Sequence, residues 1–110
     1  MRHITYSDKS VLVGDEAAET LVDYAAMVAK IGSADSVTLA IIGDDGDEGE
    51  ATFLLTQGTI LMSETTTSTA PEPDNSPAIQ YMRDRLDAIL SPAQVESEEP
   101  TRDGPQDYEP

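Results

Sequence analysis

Apolar and polar residues recur at helical spacing between Asp15 and Ile31. Acidic side chains occupy the first turn, where Asp15 can cap the helix, and Lys30 with Gly32 marks its end. The polar side chains form only a narrow stripe, which Met27 interrupts. The apolar part of the circumference is therefore wider than one core-facing side requires, and we expect this helix to pack on more than one surface.

A second helical pattern begins near Asn75. Asn75 or Ser76 provides an N-terminal cap, and Pro77 suits an early helical position. Apolar residues then recur at helical spacing as far as Leu90, and Ser91-Pro92 ends the run. This pattern predicts a second helix that ends before Ser91.

Between the two helices, β-branched and aliphatic runs bounded by glycine-rich turns predict three strands. They cover Val37 to Ile42, Ala51 to Thr56 and Thr59 to Thr65. Upstream of the first helix, His3 to Tyr6 and Val11 to Val13 flank a turn-like segment and form a weaker candidate hairpin. The predicted order is ββαβββα, an α+β fold in which an antiparallel sheet of four to five strands carries two helices on one face.

The pair Gln57-Gly58 fits a two-residue hairpin turn in which glycine supplies a positive φ. In that register Leu54 faces Leu61 and Phe53 faces Met62, so apolar side chains meet at each step. We therefore expect the last two of these strands to be neighbours in the sheet.

On one face of the predicted sheet the apolar residues are numerous enough to seat both helices: Val37, Leu39, Ile41, Phe53, Leu55, Ile60 and Met62. The opposite face is weakly polar and carries no charge. Such a face, together with the wide apolar arc of the first helix, predicts a homodimer or a docking surface for another protein. The alternative is a monomer in which the 66–74 connection or the N-terminal hairpin covers that face. The candidate interface residues are Leu54, Leu61, Ile42, Thr52 and Met27.

The composition changes after Leu90. Only Val95 and Tyr108 carry sizeable apolar side chains beyond it, and four prolines interrupt any regular element. Residues 1–90 are thus predicted to form a single small domain, and residues 91–110 an acidic, proline-rich, disordered tail.

The chain is strongly acidic, with 22 acidic and six basic residues among 110 and a formal net charge of −16. Because the basic residues form no cluster, phosphate backbones and anionic bilayers are poor partners, and we expect neither nucleic-acid nor membrane binding. Without cysteine, a disulfide framework and a thiolate zinc site are excluded. No apolar stretch is long enough to span a bilayer and no secretory signal opens the chain, so the expected location is the cytoplasm. A salt-adapted or GC-rich genome would explain the acidity equally well.

Five carboxylates crowd one segment between two predicted strands, at Asp44, Asp45, Asp47, Glu48 and Glu50. Calcium takes six to eight oxygen ligands, so such a cluster is a weak candidate for a cation site. The spacing differs from that of a helix-flanked calcium loop, and glycine with aspartate is also the composition of an ordinary hairpin tip. We interpret the segment as a solvated turn and expect no bound metal.

No catalytic constellation stands out in the sequence. His3 is the only imidazole and is expected on an edge strand, and the chain has neither a nucleophile-elbow motif nor a glycine-rich phosphate loop. We therefore expect a non-enzymatic interaction or regulatory protein, without a cofactor, that acts through contacts with itself or another protein. The alternatives are an acidic inhibitor that mimics nucleic acid on a basic protein, and a small-ligand or metal-binding domain.

Overall fold

The computed structural model describes residues 1–90, and the predicted tail at 91–110 lies outside the described residues. The elements are β1 (Arg2–Tyr6), β2 (Lys9–Val13), α1 (Asp15–Lys30), β3 (Asp35–Ile42), β4 (Glu48–Leu55), β5 (Leu61–Thr65) and α2 (Ser76–Leu90). All strand pairs are antiparallel and belong to one five-stranded sheet. The predicted α+β class, the ββαβββα order and the presence of two helices are confirmed.

The strand order in the sheet is β4-β3-β2-β1-β5, so β4 and β5 lie at opposite edges. The predicted hairpin through Gln57-Gly58 is therefore wrong. Gly58 has no positive φ. In place of the hairpin there is a local turn, in which the Thr56 N–H donates to the Thr59 hydroxyl at 2.8 Å. The chain then crosses to the far side of β1, because β1 offers β5 a full five-residue ladder.

The pairing of β5 with β1 also changes which side chains of β5 point inward. Tyr6 pairs with Leu61 and Ile4 with Ser63, so these residues share the inner face of the sheet. Met62 and the preceding Ile60 are consequently exposed, by 48% and 79%, although the sequence placed both on the helix-covered face. Neighbouring residues of a strand point to opposite faces, so the change of partner from β4 to β1, with its different register, exchanges the two predicted faces of β5.

His3 is not on an edge strand, because β1 lies between β2 and β5. Its Cα partners are Leu12 on one side and Glu64 on the other, and its side chain is exposed on the outer face. The predicted edge position of His3 is wrong for the same reason as the hairpin, namely that β5 extends the sheet beyond β1.

Helix α1 covers the inner face of the sheet, and α2 packs mainly against α1 with further contacts to β3. The buried apolar side chains that join these layers are Ile4, Val13, Ala17, Ala18, Leu21, Tyr24, Met27, Val28, Val37, Leu39, Ile41, Phe53, Leu55 and Met82. The broad apolar surface of α1 is thus used twice, once against the sheet and once against α2.

The two ends of α1 are formed by glycines. Gly14, not the predicted Asp15, is the N-cap. Any larger residue at this buried position would place its β-carbon only 2.8 Å from a carboxylate oxygen of Glu72. At the other end Gly32 has φ 65° and its N–H donates to Ala29, while Ser33 N–H donates to Val28. This is a Schellman motif, and it confirms the predicted end of the helix.

Strand β3 continues beyond the end of β2, because the two strands pair only at Leu12 and Ile42. The side chain of Asn75 takes the place of the missing strand: its Oδ1 accepts from Ala40 N–H at 2.7 Å and its Nδ2 donates to the Ala40 carbonyl at 2.9 Å. Asn75 is therefore not available to cap α2. The Asp74 carboxylate does so instead, accepting the Ser76 N–H at 3.0 Å.

Candidate functional site: an apolar cleft beside a free strand edge

A cleft of about 330 Å³ opens between β4 and the β1–β2 hairpin. Its walls are the inner faces of β1 and β2, the β1–β2 turn, and residues 51–53 of β4. The lining residues are Ile4, Tyr6, Ser7, Asp8, Lys9, Val11, Ala51, Thr52 and Phe53. Most of these side chains are apolar, and the volume falls at the small end of the range typical of ligand sites, about 300–1,000 Å³.

Tyr6 closes one end of the cleft. It projects from the inner face of β1 and its hydroxyl donates to the backbone carbonyl of Leu54 at 2.7 Å. Its ring meets the ring of Phe53 edge-on, with centroids 5.8 Å apart. The sheet is therefore curved enough for β1 to contact β4, although two strands, β2 and β3, lie between them, and the cleft is the part of this concave surface that α1 leaves uncovered.

The outer edge of β4 is a free strand edge. In an antiparallel pair, alternate residues direct both backbone groups toward the partner strand or away from it. The backbone N–H and C=O of Ala40 both bond the side chain of Asn75 and therefore point away from β4. Ala40 and its Cα partner Glu50 thus form a non-hydrogen-bonded pair. It follows that Glu48, Glu50 and Thr52 direct their backbone N–H and C=O groups outward.

The carbonyl of Leu54, which continues this alternation, confirms the direction of the edge. It accepts hydrogen bonds from the Tyr6 and Thr59 hydroxyls, at 2.7 and 3.1 Å, from the side opposite β3. The Leu54 carbonyl is thus satisfied by side chains, while Glu48, Glu50 and Thr52 are exposed along the rest of the edge, which reaches the cleft at Ala51 and Thr52.

The acidic segment is divided between a loop and this strand. Glu48 and Glu50 belong to β4, opposite Ile42 and Ala40, and both are exposed on the outer face. Both were predicted from the sequence to lie in the connecting turn. They lie in the strand because the turn is tight and closes before them, which leaves only residues 43–47 as the loop.

The other three carboxylates lie in that tight loop. Gly46 has φ 85°, and the Asp45 carboxylate accepts the Asp47 N–H at 3.0 Å, as in an ordinary aspartate-stabilised turn. Asp44 is exposed beside them. Within residues 1–90, the structure brings no three acidic or histidine side chains together in a way that could hold a metal ion.

The candidate interface residues have separate locations. Met27 is only 4% exposed and belongs to the core, whereas Ile42, 8% exposed, is buried on the outer face of the sheet, and Leu61 is half-buried against the core. Leu54 is 56% exposed and Thr52 is exposed, both on β4. Of the five, the structure leaves at the surface only the two that belong to the strand beside the cleft.

A second group of polar side chains joins α1, α2 and the start of β3. The Asp35 carboxylate accepts hydrogen bonds from the hydroxyls of Tyr24 and Tyr81, the latter at 2.7 Å. Arg85 Nε donates to the Tyr24 oxygen at 2.8 Å and lies 4.0 Å from the Asp35 carboxylate. This cluster was not predicted from the sequence, because its members are distant along the chain.

The protonation behaviour of this cluster favours a structural role. Burial, and then the hydrogen bond to Asp35, raise the pKa of Tyr24 above its ordinary value. Burial alone would raise the pKa of Asp35, but the bonds from Tyr24, Tyr81 and the Ser36 N–H outweigh it and lower that pKa. Both shifts move the pKa values further from neutral pH, whereas a group that transfers protons needs a pKa near the working pH. The cluster is therefore better suited to holding α2 in place.

The cleft was also missed, although β4 carries a signal for it. Its inner face reads Gly49, Ala51, Phe53, Leu55 in alternation, so the two positions nearest the loop have little or no side chain. A β-carbon added at Gly49 would meet no atom within 4 Å. Small residues at the inner positions of one strand end therefore indicate unfilled space beside it.

The helices of the described residues, α1 and α2, both lack the length and apolar character that crossing a bilayer requires. No protein-family model matches the sequence, and comparison with curated proteins and with solved structures gives no significant match.

Proposed function

We propose that this protein is a non-enzymatic interaction module that binds an extended segment of a partner protein along the free edge of β4, with alternate side chains of that segment in the cleft. The observation that supports the proposal is the position of the cleft, which lies directly beside exposed, outward-directed backbone groups. Addition of a strand to such an edge supplies affinity through main-chain hydrogen bonds, and the adjoining pocket supplies selectivity.

The surface residues left by folding support the same location. The sequence predicts a protein-protein surface from an excess of apolar residues, and most of that excess is consumed within the chain by the core. Leu54 and Thr52 remain exposed on β4, and Thr52 also lines the cleft. The other edge strand, β5, borders a smaller cavity of about 210 Å³ between Leu61 and α1.

Substitution of Thr52 tests the strand-addition mode. Thr52→Pro removes one outward N–H from the edge without removing a β3–β4 hydrogen bond, because proline is tolerated on a free edge. Thr52→Val is the matched control: like proline it removes the 2.8 Å hydroxyl contact with Thr38, but it keeps the N–H. Binding of a blocked nine-residue peptide that alternates valine with serine is measured by NMR titration with each protein.

We expect the peptide to shift the amide signals of Glu48, Glu50 and Thr52, with binding retained in Thr52→Val and strongly weakened in Thr52→Pro. Two further peptides, N-methylated on one or the other alternate set of residues, should differ, since only one set of amides faces β4. Equal binding of both would contradict strand addition. If Ala51→Leu abolishes binding of small apolar molecules while no peptide binds, the cleft is a small-ligand site instead.

A further inference from the structure

The alternation along β4 specifies what an added strand must carry on each of its faces. Side chains of neighbouring strands share a face when their residues are opposite one another. A partner residue opposite Ala51 therefore points toward the cleft, and one opposite Gly49 points to the open space on the same inner face, where β4 itself contributes almost no side-chain volume. Partner residues opposite Glu48 and Glu50 point to the outer face, beside two exposed carboxylates.

The charges around the edge are of one sign. Beyond Glu48, the chain enters the loop that carries Asp44, Asp45 and Asp47, all exposed. On the opposite wall of the cleft, Lys9 is accompanied by Asp8, so that wall adds no net charge. A strand lying along β4 thus meets a negative field on its outer face and an apolar surface on its inner face.

This field opposes a second copy of the same chain at this edge. Antiparallel pairing of β4 with itself near Gly49 would place Glu48 and Glu50 of one copy beside the same residues of the other, in chains that each carry a formal charge of −16. Charged residues on an edge strand are a common means of preventing such self-pairing. The same charges attract a strand of opposite sign, since electrostatic complementarity selects partners.

Resting on the proposed function, we infer that the partner segment is basic and alternating, with Lys or Arg opposite Glu48 and Glu50. An apolar side chain opposite Ala51 enters the cleft, and another opposite Gly49 lies on the same inner face. The pattern is basic-apolar-basic in an extended chain. Its recognition elements are the two carboxylates for the basic residues, the space over Gly49 and Ala51 for the apolar residues, and the outward backbone groups of β4 for the main chain.

Three blocked, fluorescently labelled nine-residue peptides test the inference by fluorescence anisotropy. Each places valine at the same alternate positions, and the remaining positions are lysine, serine or glutamate. Because two exposed ion pairs together change an affinity by roughly two- to thirtyfold, we expect the lysine peptide to bind roughly five- to twentyfold more tightly than the serine peptide at low salt. The advantage should shrink at high salt, and the glutamate peptide should bind least.

The Glu48→Gln/Glu50→Gln variant should reduce the lysine advantage to about twofold or less. The control Asp23→Asn/Asp87→Asn makes the same change in net charge at exposed positions of α1 and α2 and should leave the advantage intact. An equal reduction in both variants would mean a general charge effect, and the inference would be wrong.

The remaining outcomes separate this inference from the proposed function. If the lysine and serine peptides bind equally and both are lost in Thr52→Pro, strand addition stands and the basic partner is wrong. If no peptide binds, or if Thr52→Pro changes nothing, both fail. If sedimentation shows a dimer that Thr52→Pro dissociates, the edge belongs to a second copy and the basic partner is overturned.

Discussion

Gly32 illustrates how one residue fixes the end of an element. Its φ of 65° lies in the left-handed region, where a β-carbon is disfavoured by about 1 kcal/mol or more, yet no atom within 4 Å would obstruct that carbon. We therefore expect Gly32→Ala to lower the free energy of unfolding by about 1 kcal/mol, measured by urea denaturation. Gly58→Ala is the control, because Gly58 has no positive φ and the added carbon would lie 3.9 Å from the Thr56 hydroxyl. Equal losses in the two variants would contradict a conformational origin.

Asp35 gives the stability a specific acid dependence. Its pKa is lower in the folded chain than its ordinary value near 3.8, so its contribution is fully present above that value and is lost as the pH falls through the folded pKa. We expect Asp35→Asn to cost about 1–3 kcal/mol at pH 7. The difference from the natural chain should diminish as the pH falls from 4 toward 2.

Urea denaturation of both proteins between pH 2 and 7 measures this difference. Asp87→Asn serves as the control, since Asp87 is an exposed carboxylate on α2 outside the Asp35 cluster. A difference between Asp35→Asn and the natural chain that stays constant over the whole pH range would show that the carboxylate charge is not what the tyrosines stabilise.

At the scale of elements, α2 is joined to the sheet by the side chain of Asn75. Its two hydrogen bonds satisfy the backbone of Ala40 where β3 extends past β2. Asn75→Ala leaves that N–H and carbonyl without protein partners, and we expect a loss of about 2–3 kcal/mol. Hydrogen exchange of the Ala40 amide should accelerate beyond the change in global stability.

Ser76→Ala is the neighbouring control, because Ser76 donates its hydroxyl only to the exposed carboxylate of Asp74. We expect it to change stability by about 0.5 kcal/mol or less and to leave the exchange of Ala40 unaltered. Fast exchange of Ala40 in the natural chain would show that Asn75 does not replace a strand there.

At the scale of the whole molecule, self-repulsion of a chain with net charge −16 should dominate the response to salt. We expect sodium chloride to raise the Tm gradually, and calcium chloride to raise it equally at matched ionic strength, since both act by screening. Thermal unfolding followed by circular dichroism measures both. A saturable, calcium-selective rise that Asp45→Asn/Asp47→Asn abolishes would instead assign a cation site to the 43–47 loop.

The curvature of the sheet brings distant parts of the chain to one place. β2 and β3 share only one Cα pair, which lets β4 turn toward β1 until Tyr6 bonds the Leu54 carbonyl. The cleft therefore combines residues from positions 4–11 with residues from 51–53. A homodimer remains a prediction from the sequence, whereas the β4 edge is the surface we assign to a partner of opposite charge.

The sequence by itself determined the local elements. The helix that ends at Gly32, the strands and the ββαβββα order all follow from periodicity, glycine and proline, because each depends on interactions within a few residues. The apolar positions of β3 and β4 were also correct: Val37, Leu39 and Phe53 are buried as the alternation predicts.

Only the tertiary structure decided which strands are neighbours. Phe53 and Met62 match in hydrophobicity as well as a true pair does, so the local pattern favoured a hairpin, whereas β5 in fact forms its five-residue ladder with β1. Because β5 pairs with β1, Met62 lies at the surface. The side chain of Asn75 likewise bonds Ala40 of β3, a residue distant in sequence, instead of capping α2. The cleft, the free edge and the Asp35 cluster depend on contacts between residues tens of positions apart, which no local pattern encodes.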